Sequence, residues 1–192
     1  AESLLFNQGI PVSNSESCAI ASHAAKSLLG HYEGTDPEEE LGIVQGLKPL
    51  SKRLAAILTE AEMKAEDIEL SANEHRRLGE LFHSVERFDW AADCYQRAND
   101  LDPEDEAALR SLSDIQRKNG DLESLDRTLE RLLAIVPDDI GLLNEQLVLL
   151  DGGEDERFSR NRKRLEGLGA TNPLSVEDGE LSEIARRARD SD

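Results

Sequence analysis

His75-Arg76-Arg77-Leu78-Gly79-Glu80-Leu81-Phe82, followed by Ala91-Ala92-Asp93-Cys94-Tyr95-Gln96-Arg97-Ala98 and then Pro103, is the stretch that decides the fold. In both blocks the apolar and small residues return every three or four positions, which is the spacing of one helix face. The pattern comes back as Leu109-x-x-Leu112-Ser113, then Leu125-x-x-x-Leu129-x-x-Leu132, then Pro137. Leu78 and Leu112, Tyr95 and Leu129, Ala98 and Leu132, and Pro103 and Pro137 are each 34 residues apart. The residue types fit a helical hairpin. Gly79 and Ala91 are small where two helices cross, and Phe82 and Tyr95 fill the space beside the crossing. Pro103 cannot continue a helix. Leu101-Asp102-Pro103-Glu104-Asp105 therefore reads as a stop followed at once by an acidic helix start, and Asn119-Gly120-Asp121 as the turn inside the second hairpin.

These positions resemble the tetratricopeptide repeat, a helix-turn-helix of 34 residues. The first copy carries the Leu-Gly pair, both aromatics, both small alanines and the closing proline; it departs where the family often has Trp and this chain has His75. The second copy keeps the spacing but has Leu125 and Leu132 at the small positions. A third, degraded copy is read from Leu142, Leu143, Leu147 and Leu150, a turn at Asp151-Gly152-Gly153, and a helix from Glu154 to Leu168, with Pro173 falling 36 residues after Pro137. The resemblance is clear over residues 72–137 and weaker to 173. It implies an all-α fold: antiparallel helical hairpins stacked as a short right-handed solenoid, with repeats at 72–105, 106–139 and 140–173. A last amphipathic stretch at 175–189, with Leu181, Ile184, Ala185 and Ala188, is expected to be a capping helix, since such arrays need a polar end.

Residues 1–70 are expected to form an N-terminal helical extension, and 71–192 the repeat domain. In the extension, Ser13 to Glu16 offers caps for a helix that runs through Ala19 to Leu29 and ends near Gly30. Thr35-Asp36-Pro37-Glu38-Glu39-Glu40 is a second start, with Pro at the first helical position and acids at the positive dipole end. Pro49 is expected to open a further helix with the stripe Leu50, Leu54, Ile57, Leu58, Ala61, Ala65 and Ile68.

Composition limits the function. The 192 residues carry 41 acids against 22 bases, a net charge of −19, which argues against general nucleic-acid binding because that binding rests on Lys and Arg neutralising phosphates. No apolar run is long enough to span a bilayer. Aromatics are only 4%, which disfavours a β-sandwich or barrel. Cys18 and Cys94 stand apart inside apolar helical patterns and read as reduced thiols, so a cytoplasmic location is expected, with the chain a piece of a larger protein. The His residues show no metal-ligand spacing; His75 and His83, on one helix, read as edge residues of a solvated groove. No nucleophile, phosphate-loop or dinucleotide motif occurs. The expectation is a non-enzyme with no cofactor and no metal.

The resemblance also implies where a partner would bind. In the family the first helix of each hairpin lines a concave face that clasps protein segments. The residues that fall there are Asn73, Arg76, Glu80, His83 and Ser84 in the first repeat, Ala107, Arg110, Asp114, Arg117 and Lys118 in the second, and Gly141, Asn144 and Val148 in the third. Arg76, Arg110, Arg117 and Lys118 are expected to form a basic strip on an acidic body, suited to an acidic or amphipathic segment of another protein. One branch of the family grips the carboxylate of chaperone tails; of its positions, held here by Arg76, Glu80, Ser111, Gly141 and Glu145, only Arg76 is compatible, which argues against that role. A separate basic block, Arg157, Arg160, Arg162, Lys163 and Arg164, is read as a helix face neutralised by Glu154, Asp155, Glu156 and Glu166, with an outer docking patch as the sharper alternative. The function expected is a protein-interaction scaffold or adaptor. The alternatives are a self-associating or regulatory domain of a larger protein and the docking domain of an enzyme.

Overall fold

The computed structural model describes residues 14–30, 37–60, 62–150 and 156–169. The described residues form helices and turns, with no strand. In chain order the helices are α1 (Asn14–Leu29), α2 (Pro37–Glu60), α3 (Ala72–Ser84), α4 (Phe88–Leu101), α5 (Glu106–Asn119), α6 (Leu122–Ile135), α7 (Ile140–Leu150) and α8 (Glu156–Gly167); a short 3₁₀ turn, Ala65–Asp67, precedes α3. The turn at 151–153, Pro173 and the expected capping helix at 175–189 lie outside the described residues. The chain divides into two compact units, Ala1–Ala108 and Leu109–Asp192.

The first unit is built on the α3–α4 hairpin. Ser71 caps α3: its hydroxyl accepts from the Glu74 amide at 3.4 Å, and Glu74 in return accepts from the Ser71 amide at 2.7 Å. Leu78, Leu81 and Phe82 on α3 are buried, as are Trp90, Ala91, Tyr95 and Ala98 on α4. Gly79 is where the Tyr95 ring of α4 packs onto α3. A Cβ placed there would lie 2.8 Å from Cε1 of Tyr95, so only glycine allows the Tyr95 ring to occupy that place. The Phe82 and Trp90 rings, one on each side of the turn at Val85-Glu86, sit 5.9 Å apart at a tilt of 52°. The Trp90 indole N–H donates to Thr59 Oγ1 at 2.7 Å, tying the hairpin to α2. Leu54, Ala55 and Leu58 of α2, with Ile68 and Leu70 after the 3₁₀ turn, complete the buried set around it. From α1, Ala21, Ala25, Leu28 and Leu29 are buried, and Ser22 Oγ accepts from the Glu69 amide at 2.8 Å.

Two expectations fail in this unit. Pro49 does not open a helix; it lies inside the continuous helix Pro37–Glu60. Proline donates no hydrogen bond, but its fixed φ is the helical one, so α2 continues past it with one bond fewer. The helix expected to run to Ile68 stops at Glu60, and Ala65 and Ile68 are buried from the 3₁₀ turn and its exit instead. Nor is His75 an edge residue: its exposure is 0%. It shares the inward face with Leu78 and Phe82, three and seven positions on, and so occupies a core position of the repeat.

The second unit buries Leu109, Leu125, Leu129, Leu132, Leu142 and Val148 in one cluster and Leu143, Leu147 and Leu165 in another. Leu125 and Leu132, where the first copy has alanines, are fully buried. The α5–α6 turn falls at Gly120, whose φ of 70° lies in the left-handed region, and Asp121 then caps α6 by accepting from the Ser124 amide at 3.2 Å. Val148 is a correction too. Expected on the binding face, it is buried in the leucine cluster, because α7 is apolar nearly all round.

Candidate functional site

The residues expected to receive a partner sit on α3, α5 and α7, each the first helix of its pair. In the first unit Asn73 is exposed, and Arg76, Glu80 and His83 are half-buried. Each nitrogen of the Arg76 guanidinium faces an oxygen: Nη1 donates to Glu80 at 2.6 Å, Nη2 donates to Asn73 at 2.7 Å, and Nε lies at ion-pair distance from Asp105 Oδ2, 3.3 Å. His83 stacks edgewise near Phe88, with ring centroids 5.2 Å apart.

The second unit repeats the arrangement. Arg110 Nη2 donates to Asp139 Oδ2 at 2.7 Å. Arg117 is held more fully, with Nε and Nη2 on Glu145 at 2.6 and 3.1 Å and Nη1 on Asp114 at 2.9 Å. The Glu145 side chain is only 8% exposed, so the fork of Arg117 is what allows a carboxylate to sit there. That pairing raises the pKa of Arg117 further above its usual value; the hydrogen bond to Glu145 is the main cause. Asp139 is held below the ordinary carboxylate range: burial pushes it up, but the Arg110 hydrogen bond and the Leu142 amide outweigh burial. Lys118 is exposed and Asn144 half-buried.

The expected basic strip is therefore a set of matched pairs. Arg76, Arg110 and Arg117 keep their charge, but carboxylates of the same chain already neutralise it. Sequence reading did not pair Asp105, Asp139 or Glu145 with these arginines. A signal for two of them was present: Arg76 and Arg110 are 34 residues apart, and so are Asp105 and Asp139. Ser71, Asp105 and Asp139 likewise stand 34 residues apart and immediately precede the first turns of α3, α5 and α7.

The basic block lies on α8. Arg157 reaches across to α6, where Nη1 meets Asp126 at 2.9 Å and Glu130 at 2.5 Å. Arg164 pairs with Asp138 at 3.1 Å and Arg162 with Glu166 at 3.3 Å. Arg160 and Lys163 are exposed on the same helix. The neutralising acids are mostly on α6 and before α7 rather than on α8 itself; Glu154 and Asp155 fall outside the described residues.

Other chemistry is sparse. A cavity of about 190 Å³ beside the 3₁₀ turn is lined by Lys64, Glu66, Asp93, Gln96, Arg97 and Asp100, a mixed-charge wall. Burial, then the nearby Asp89, pushes the Asp93 carboxyl up. Cys18 and Cys94 are free thiols, and burial pushes Cys94 up, away from the reactive thiolate. Among the described residues no group of three or more His, Cys, Asp or Glu could hold a metal ion, and no helix is long and apolar enough to cross a membrane.

No curated protein matches the chain. The tetratricopeptide repeat family matches residues 108–139, which hold most of α5, the Gly120 turn, α6 and the Pro137 turn into α7. This is the second copy, in which leucines replace the small residues of the first. Over that segment, within an all-α framework of helical hairpins, the chain is similar to the tetratricopeptide repeat.

Proposed function

We propose that the chain is a non-catalytic protein-interaction scaffold, and that the outward faces of α3, α5 and α7 take a segment of a partner protein. The tetratricopeptide match at residues 108–139 supports this most directly, because repeats of that kind serve as platforms for other proteins. On this reading Asn73, Arg76, Glu80 and His83 contact the partner from the first unit, and Arg110, Asp114, Arg117, Lys118 and Asn144 from the second. The partner is an amphipathic segment carrying acidic groups, located with the scaffold in the cytoplasm. The arginines meet those groups through forked donors, and the neighbouring carboxylates set which geometry is accepted.

Ala107→Glu combined with Lys118→Glu tests the face. Both positions are exposed, so the change alters charge without opening the core. The control is Arg160→Glu with Arg162→Glu on α8, also exposed. A pull-down with each protein, read by quantitative mass spectrometry, should lose its specific partners with the first pair and keep them with the second. The opposite result moves the binding surface to α8 and refutes the assignment.

A further inference from the structure

The acceptor chemistry on this face has a particular form. In the first unit Asp105 Oδ1 accepts from the Ala108 amide at 3.0 Å, capping α5, while Oδ2 meets Arg76 Nε at 3.3 Å. In the second unit Asp139 Oδ1 accepts from the Leu142 amide at 3.1 Å, capping α7, while Oδ2 accepts from Arg110 Nη2 at 2.7 Å. The division of labour is the same 34 residues apart: one carboxylate oxygen starts the helix, and the other sits on the arginine of the preceding first helix.

We infer that the binding face is self-occupied: Asp105 and Asp139 stand on Arg76 and Arg110 where the carboxylates of a partner would stand, so an acidic segment binds by displacing them. The inference rests on the reading of this face as the partner surface. Nε of Arg76 has a single N–H and faces Asp105, so an incoming carboxylate that takes the Nε edge of the guanidinium exchanges with Asp105. The internal carboxylate can let go without unfolding its helix, because the capping oxygen is not the latching one. The latches are partly exposed, with side-chain exposures of 26% and 14% for Arg76 and Asp105 and 41% and 28% for Arg110 and Asp139, so an incoming group has a path to them. In each unit the internal competitor lowers the affinity of its arginine for an incoming acidic chain.

The chemistry gives a clean test. Asparagine keeps an Oδ1 for the cap and turns the latching atom into an NH₂, which cannot accept from arginine. Serine caps helices equally and carries no carboxylate. Fluorescein-labelled octaglutamate is titrated at low ionic strength into the wild type, Asp105→Asn/Asp139→Asn, Asp105→Ser/Asp139→Ser, Arg76→Gln/Arg110→Gln and Glu123→Gln, and read by anisotropy. Glu123 lies on α6 and pairs with Arg127, so its variant controls for charge removal away from the latches. Both aspartate pairs should bind about tenfold more tightly than the wild type, and the gain with Glu123→Gln should be small. Circular dichroism should show unchanged helix content in both aspartate pairs. Equal affinity in the wild type and both aspartate pairs, or no binding by any of them, overturns self-occupation. If the arginine pair loses binding while the aspartate pairs gain nothing, the face survives and self-occupation falls. If the arginine pair binds as the wild type does, the face itself is wrong and the inference falls with it.

Discussion

Replacing His75 with leucine should remove much of the acid sensitivity of the first compact unit. His75 has 0% exposure, and neither ring nitrogen reaches a hydrogen-bond partner of good geometry. Its pKa is lowered from 6.5 to about 4: burial is the main cause and the Arg97 guanidinium on α4 adds to it, while the Ile68 backbone and Glu74 pull weakly the other way. The folded protein therefore holds the neutral imidazole where the unfolded chain takes up a proton. A folded pKa below the unfolded one means that stability is full above the unfolded value and is lost as the pH falls toward the folded one. The window lies between pH 6.5 and about 4. Across it the loss is roughly 3 kcal/mol, with a slope of at most about 1.4 kcal/mol per pH unit.

The assay is urea unfolding followed by tryptophan fluorescence. Trp90 is the only tryptophan in the sequence; it is buried against Phe82 on the same hairpin as His75, so it reports this unit directly. The wild type should lose stability steadily from about pH 7.5 to about pH 4.5, and His75→Leu should lose clearly less over the same range. At neutral pH the variant should be at least as stable, since two orphaned polar atoms leave the core. The carboxyls of Glu74 and Asp89 are also held below their usual range, by hydrogen bonds from Ser71 and Arg87 respectively. Their contribution is lost at lower pH and, apart from the small part of the Glu74 shift that His75 causes, is common to both proteins. Parallel stability profiles for the wild type and the variant would refute the buried neutral imidazole.

Three further outcomes are expected. Gly79→Ala should destabilise the first unit by about 1–3 kcal/mol in the same Trp90 assay, because its Cβ would press into the Tyr95 ring; combining it with Tyr95→Leu should recover part of the loss. Arg117→Gln strands the nearly buried Glu145 carboxylate and should cost about 1–3 kcal/mol by chemical denaturation, with Arg117→Gln/Glu145→Gln less harmful than the single change. With a net charge of −19, moderate added salt should raise the melting temperature by screening surface repulsion; a flat or falling trend in differential scanning calorimetry would count against it.

The helical hairpins were legible because periodicity and punctuation agreed. Gly79 opposite Tyr95, the turn at Gly120 and the buried positions of Leu125 and Leu132 all follow from spacing that a sequence displays directly. Pro49 misled because proline signals a helix start and tolerated interior positions alike, and only the surrounding packing decides between them. His75 misled for a different reason. Its residue type was weighed above its place in the repeat, although Leu78 and Phe82 on the same face already put it inside. Val148 shows the limit of transferring a binding face from one repeat to the next: on the strongly apolar α7 that position joins the leucine cluster.

The site was harder to read because charge in a sequence carries no partner. Arg117 and Glu145 are 28 residues apart, and nothing local connects them. Counting bases on one helix face gave a basic strip; the fold turned the same residues into ion pairs whose acids come from the same helix, from the start of the next first helix in its unit, or from that helix itself. The exception is instructive. Asp105 and Asp139 recur at the repeat period, five residues short of one full period beyond Arg76 and Arg110. A cap must recur wherever a first helix begins, and a residue on the preceding first helix recurs in step with it. Any side chain long enough to cross from one first helix to the start of the next therefore meets the cap in every repeat that has both. The chemistry of the cap then decides the outcome: aspartate has an oxygen to spare for arginine. The latch is in this sense a by-product of periodicity, fixed by which residue caps the helix. The pairing ends where Asn144 replaces the arginine 34 positions after Arg110.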